Sequence, residues 1–387
     1  MITQTYQFKA PSVIVYGLGV SKEIGPLVKE LGKKAFIVTD RLLEEMGLLN
    51  DIKNSLEMAK IPFVTYDRVV TEPTMEYAED GLKAYQEAKA DFLIGIGGGS
   101  PIDTAKAISA LAMNPRKMSD FEGANKIPHP GAPLVAIPTT AGTGSEVTQF
   151  TVITDTKRNV KMLIASPHIM PRIALVDPLM TLQLPQGMTA ATGLDALTHA
   201  IEAYVSVKAH PITDALALRA IHLISGNLRQ AWCNGSNIEA RANMTVGALE
   251  AGLAFSNASV ALVHGMARPL GAYFHVPHGI SNASLLPAVI EFSIPGNPKR
   301  YADIAMAMGE VTAGLSILDA AFLSAKAVKR LNEDLNIPLI RGLGVDEKKF
   351  MSLVDQMAAD ALASGSPGNN PRKATKEEIV QLYRKAF

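Results

Sequence analysis

The sequence predicts an α/β domain on an open, doubly wound parallel sheet, followed by an all-helical domain. Three observations lead there. Short apolar, β-branched runs alternate with helical stretches up to about residue 185, the pattern of β-α-β units. From Met188 onward strand patterns vanish and helical ones follow one another. At 387 residues the chain also exceeds one ordinary core. The boundary therefore falls between domains 1–185 and 186–387, and a cleft between them is the default ligand site.

The strands read in order as residues 12–16 (SVIVY), 34–39 (KAFIVT), 61–66 (IPFVTY), 91–96 (DFLIGI) and 133–138 (PLVAIP). Helical patterns such as KEIGPLVKELG and AEDGLKAYQEAKA lie between them. The segment FTVITDTKRNVKMLIAS differs, with two runs joined by a polar turn; it reads as a hairpin added to that sheet. Helices follow at 189–207, 213–231, 238–256, 259–272, 281–292, 298–309, 316–334, 346–361 and 375–386, with Pro, Gly or Asn at the breaks.

Composition narrows the function classes. Hydrophobic residues make up 48% and charged residues 19%, a globular balance. Lys+Arg and Asp+Glu are both 37 and scattered, so no basic patch draws nucleic acid. No apolar run reaches the roughly 18 residues of a membrane span. The start lacks the charged-then-apolar plan of a secretory signal. The single cysteine, Cys233, suits a reducing compartment. A cytoplasmic protein with neither nucleic-acid nor membrane partners is expected.

Two glycine loops compete as a phosphate cradle. Gly17 and Gly19 follow the first strand, with Lys22 where a third glycine would complete the dinucleotide fingerprint. Gly97, Gly98 and Gly99 lie between the strand DFLIGI and an apolar helix. There the backbone can close on a pyrophosphate while the helix start supplies amide donors and a positive dipole end. Ser100 can cap that helix and Pro101 fits its first turn. Asp40 ends the second strand, where a carboxylate holds an adenosine ribose and repels a 2′-phosphate, favouring NAD over NADP. The loop Thr139–Ser145 gathers hydroxyls and glycines at another carboxyl strand end.

A second constellation lies in the helical half. Asp195 and His199 stack four residues apart on a helix apolar on nearly every side. A buried carboxylate and imidazole need partners. His264, in an apolar helical run, and His278, in a Pro-His-Gly turn, can supply them; His275 rivals His278. One carboxylate and three imidazoles suit Fe²⁺ or Zn²⁺ better than Mg²⁺ or Ca²⁺.

The motifs GGGSPIDTAK (97–106), PTTAGTGSEVT (138–148), TAATGLDALTHAIEAYVS (189–206), GLAFSNA (252–258) and HGMARPLGAYFHVPHG (264–279) resemble those of the iron-containing (group III) alcohol dehydrogenases, over essentially the whole chain. The resemblance implies a Rossmann-like domain and a helical domain in a dehydroquinate synthase-like fold. It implies metal ligation by Asp195, His199, His264 and His278, and a pyrophosphate on Gly98, Gly99 and Ser100 with Asp103 nearby. It further implies Asp40 at the ribose, Thr139, Thr140, Thr143 and Lys161 along the cofactor channel, Leu179 near the adenosine, and Phe255 as a pocket wall. A homo-oligomer, at least a dimer, is expected. One position departs: many members carry a second histidine four residues after the first metal histidine of HGMAR, and here it is Arg268. An arginine stays protonated and cannot relay a proton. Proton release then runs through water or through His275, and Arg268 can instead position a carboxylate or polar group of the substrate.

The expected reaction is reversible hydride transfer between a small primary alcohol and NAD, with the oxygen on the metal. A sugar-phosphate cyclase needs a basic pocket that Arg268 alone does not make. A silent NAD- or metal-binding protein would keep the cradle without turnover.

Overall fold

In the computed structural model, which describes residues 5–158 and 160–387, the chain forms two compact units. One is Lys9–Gln183; the other is Leu184–Phe387, joined by residues 5–8.

The first unit holds strands β1 (Val13–Tyr16), β2 (Ala35–Val38), β3 (Phe63–Tyr66), β4 (Phe92–Gly97), β5 (Gly123–Ala124), β6 (Leu134–Pro138), β7 (Phe150–Asp155), β8 (Val160–Ala165) and β9 (Ile173–Val176). Its helices are α1 (Ile24–Val28), α2 (Arg41–Glu45), α3 (Asn50–Met58), α4 (Met75–Ala88) and α5 (Gly99–Met113). Six strands make an all-parallel sheet in the order β1-β9-β6-β4-β2-β3. Alternation along the strands assigns the two faces. Ile37, Ile94 and Val135 pack on Ile24, Ile52 and Leu56 of α1 and α3. Their neighbours Phe36, Leu93 and Leu134 pack with Tyr85 and Ile108 of α4 and α5. Both faces are thus buried, as a doubly wound sheet requires.

Two expectations need correction, and one strand was not anticipated. The hairpin β7–β8 does not extend the parallel sheet; with β5 it forms a separate three-stranded sheet. The apolar run 173–176, assigned to no strand from the sequence, forms the four-residue β9, which joins β1 to β6. Ser100 does not cap α5: the cap position is Gly98, without a side-chain bond, and Ser100 lies in the first turn.

The second unit is helical: α6 (Gln186–Val205), α7 (Pro211–Cys233), α8 (Ile238–Ala258), α9 (Leu262–Phe274), α10 (His278–Ser293), α11 (Pro298–Ala307), α12 (Ile317–Asp334), α13 (Glu347–Ala363) and α14 (Lys376–Ala386). From Gly193 to Val205 every residue of α6 is buried, as its all-round apolar sequence implied. His278 is not in a turn but opens α10, which starts three residues before the sequence suggested. Among the described residues no single helix is long and apolar enough to cross a membrane.

Candidate metal centre and nucleotide cradle

Three helices carry the buried polar cluster of the second unit. Asp195 and His199 stand one turn apart on α6, His264 in the first turn of α9, and His278 at the start of α10. Ligand atoms of Asp195, His199 and His264 all lie within 4.8 Å of one another. The Nε2 atoms of His264 and His278 each lie 3.7 Å from Asp195 Oδ1. Donors about 2.1 Å from a tetrahedral cation stand about 3.4 Å apart, so this spacing fits one divalent ion. The side chains of Asp195 and His264 are almost wholly buried, while His278 keeps 46% of its side chain accessible and marks the open side.

Neighbouring groups fix the orientation of these ligands. Glu202, one turn beyond His199 and buried, accepts from the His264 ring at Nδ1 (2.6 Å) and from the backbone N–H groups of Ala261 (2.8 Å) and Val263 (2.6 Å). That bond turns Nε2 of His264 toward Asp195, as the nitrogen that would ligate a cation in place of its proton. Asn282 Nδ2 lies 2.7 Å from Asp195 Oδ1, 3.2 Å from His264 Nε2 and 3.3 Å from His278 Nε2. The His199 ring stacks on Phe255 at 4.1 Å and on His264 at 4.6 Å between centroids. Phe255 is therefore a support for a candidate ligand.

Electrostatics follow from this packing. Burial pushes the Asp195 carboxyl up, but the surrounding His199, His278 and His264 outweigh it and hold it well below its ordinary value. Burial pushes the His264 imidazole down, but the Glu202 charge and its hydrogen bonds raise it to about 9. Glu202 and Asn282 were missed in the sequence. Glu202 was findable as a carboxylate on the same all-apolar helix as Asp195, whereas Asn282 had no periodic signal.

Arg268 lies one turn beyond His264 on α9, partly buried, and donates from Nη1 to Ser366 Oγ at 3.0 Å. Its charge is close enough to oppose protonation of His278. His275 ends α9 in a left-handed conformation (φ 55°) and is exposed; neither it nor His278 belongs to the three residues whose ligand atoms all lie within 4.8 Å, but only His278 stands beside Asp195.

In the first unit, Gly97–Gly99 leave the carboxyl end of β4, and Thr139 leaves the adjacent β6, its N–H bonded to Gly97 O at 2.9 Å. A Cβ on Gly99 would sit 3.2 Å from Thr143 Cγ2, and one on Gly98 would sit 3.5 Å from Thr140 Cγ2. The glycine and threonine loops thus face each other closely, as a backbone cradle requires. Thr140 Oγ1 is buried without a hydrogen-bond partner among the described residues, a group that a ligand oxygen can satisfy. Asp40 follows β2, next to β4, and accepts from Leu43 N at 2.9 Å as the cap of α2. The rival loop Gly17–Gly19 sits after the edge strand β1, three strands from β4. Both glycine amides are spent within the fold: Gly17 N donates to Val176 O (3.1 Å) and Gly19 N to the buried Asp177 (3.0 Å), which also accepts from Ser21 N (3.1 Å) and Ser21 Oγ (2.6 Å).

Asp103 turns inward, accepting from Ser145 Oγ (2.5 Å) and Val152 N (2.9 Å). Beside it the fully buried Lys106 donates to Thr148 Oγ1 (2.9 Å) and Phe150 O (2.7 Å). Burial lowers the Lys106 ammonium to about 8, against the attraction of Asp103 and Glu146. Asp103 and Lys106 tie α5 to the threonine loop. Lys161, on β8, pairs with Glu72 at 2.7 Å, and Leu179 donates its N–H to Asp177 Oδ1.

Residues 11–178 match the family described as "Iron-containing alcohol dehydrogenase", and residues 189–387 match "Fe-containing alcohol dehydrogenase family, C-terminal". A 1,3-propanediol dehydrogenase of Citrobacter freundii is 42% identical over 391 residues, covering 100% of both chains. An NAD-dependent methanol dehydrogenase of Bacillus methanolicus is 39% identical, covering 98% of this chain and 99% of its own. The crystal structure of a 1,3-propanediol oxidoreductase superposes with a TM-score of 0.96 at 41% identity, over 99% of this chain and 100% of its own. With both units matched from end to end, and the buried Asp-His cluster in the second, the chain belongs to the iron-containing alcohol dehydrogenase family of oxidoreductases.

Proposed function

We propose that this protein is an NAD-dependent alcohol dehydrogenase that interconverts small primary alcohols and aldehydes at a divalent metal. The observation that carries the reading is that ligand atoms of Asp195, His199 and His264 lie within 4.8 Å of one another, with His278 Nε2 3.7 Å from Asp195 Oδ1 on the open side. These four would hold the cation, and their nitrogen and carboxylate donors suit Fe²⁺ or Zn²⁺. A cation held there supplies Lewis acidity to the substrate oxygen. NAD held by the glycine and threonine loops would supply the hydride acceptor.

The chain's own residues do the rest. Glu202 keeps the His264 ring in one tautomer and aims it; Phe255 holds the His199 ring by stacking. Gly98, Gly99, Ser100 and the hydroxyls of Thr139, Thr140 and Thr143 would hold the cofactor's pyrophosphate and channel. Asp103 would act one layer behind, through Ser145. Asp40 would take the adenosine ribose, with Leu179 and Lys161 at the cofactor's margin. Arg268 and His275 would lie on the substrate side. Arg268 cannot relay the proton, which leaves the exposed His275 or solvent as its exit. Relatives named for propanediol and methanol support short alcohols, and the latter's name supports NAD. A cytoplasmic homo-oligomer completes the proposal, from the resemblance and the lone cysteine.

The test is elemental analysis of anaerobically purified protein coupled to NADH formation with a panel of short alcohols. About one Fe or Zn per chain with alcohol-dependent NADH is expected. Metal-free protein that gains no turnover on adding either metal would refute the proposal.

A further inference from the structure

Arg268 has more charge than its surroundings use. It makes one hydrogen bond among the described residues, to Ser366 Oγ, although a guanidinium offers five N–H donors. The carboxylate that attracts it, Glu202, already accepts from Ala261 N, Val263 N and the His264 ring. No ion pair within 4.0 Å joins Arg268 to any described carboxylate. Asp195 and Glu202 together balance one divalent cation, so the guanidinium remains as surplus positive charge in a partly buried place. Such a charge is costly without a counter-ion.

The guanidinium is also held in place. Ser366 sits in a short turn, Ser366–Asn369, pinned to α9 and to the segment before it. Pro367 fits against Gly265 so closely that a Cβ there would meet Pro367 Cγ at 2.7 Å. Asn369 donates to Ser259 Oγ (3.1 Å) and Val260 O (2.9 Å). Four donors are left over on a guanidinium tethered at one end, and His264 lies one turn, a rise of about 6 Å, away on the same helix face. A planar fork of N–H donors is what bidentate recognition of a carboxylate uses.

We infer that Arg268 binds a carboxylate at the far end of the substrate, so that the preferred substrates are short ω-hydroxy acids and their semialdehydes rather than neutral alcohols or diols. The inference rests on the dehydrogenase proposed above and names its substrate class.

Length-matched pairs test it on the metal-loaded protein: 4-hydroxybutyrate against 1,4-butanediol, and 3-hydroxypropionate against 1,3-propanediol. The intact protein should favour the acid of each pair in kcat/KM. Arg268→Gln should lower the acid-to-diol ratio about 10- to 100-fold, mainly through KM for the acid, and Arg268→Lys should recover part of it. Butyrate, which cannot be oxidised at the far carbon, gives a readout apart from turnover. It should raise the thermal transition of the intact protein and not that of Arg268→Gln. A preference for the diols, an equal loss on acids and diols, or a loss confined to the KM for NAD would overturn the inference. If neither class is turned over, the dehydrogenase reading fails, while butyrate binding still decides whether Arg268 is a carboxylate site.

Discussion

At the residue scale, the candidate centre depends on a side chain that would touch no metal. Glu202 gathers three donors on its two oxygens, one of them the His264 ring. Glu202→Gln turns one acceptor oxygen into a donor, setting N–H against N–H in a buried site. Metal affinity, measured by competition with a chelator, should fall about 10- to 100-fold while the protein still folds; an unchanged affinity would show that His264 needs no such partner. Glu146 gives a second residue-scale expectation. It is buried, its Oε2 has no hydrogen-bond partner among the described residues, and burial raises it to about 7 against the pull of Lys106. The folded state therefore holds this proton more tightly than the unfolded chain does. Its contribution to stability is complete below pH of about 4.5 and is lost as pH rises through about 7. Glu146→Gln should remove that decline from denaturant midpoints measured between pH 5 and 8, and a parallel pH profile for the two proteins would contradict the assignment.

At the element scale, the closeness of α10 to α6 sets the distance from His278 to Asp195. A Cβ on Gly279 would stand 2.1 Å from Ala191 O, so the first turn of α10 lies directly on the backbone of α6. Gly279→Ala should push the two helices apart, costing about 1–3 kcal/mol of stability. It should weaken metal binding through His278 without touching a ligand. Wild-type affinity and midpoint in that variant would mean that the contact yields easily. This contact also shows what was legible in the sequence. Asp195 and His199 could be read because a fixed helical period places them on one face. His264 is legible as a buried histidine in an apolar helix, whereas the flanking Pro277 and Gly279 signal a turn at His278, whose side chain keeps 46% of its surface accessible. In fact Pro277 precedes the helix and Gly279 is there for clearance. The hairpin was recognised from β7 and β8, but not its separate sheet, because pairing partners such as the two-residue β5 carry no pattern. Serine is a favoured cap by its side chain, but α5 begins one residue before it, at Gly99, so Ser100 already lies inside the first turn and Gly98 takes the cap position.

At the scale of the whole molecule, the two chemistries are segregated. Every proposed metal ligand lies on α6, α9 or α10, and every proposed cradle residue lies in the α/β unit, which has its own cores. Alternation of strands and helices made this division readable, because a β-α-β pattern and a run of helices bury their apolar faces in different ways. The strand order was not readable, since β1 could as well have been central as at the edge. Segregation has a measurable consequence. A ligand stabilises the structure it binds by about 2.7 kcal/mol at a hundredfold excess over its Kd, and local opening is suppressed where that structure forms. Removing the metal with a chelator should therefore raise amide hydrogen exchange in α6, α9 and α10 and leave β2, β4 and β6 as they were. Adding NAD to the chelated protein should instead slow exchange at the start of α5 and in the loop after β6. Exchange that rises equally in both units on chelation would mean that metal and nucleotide sites do not belong to separate folding units, and the assignment of one chemistry to each would fail.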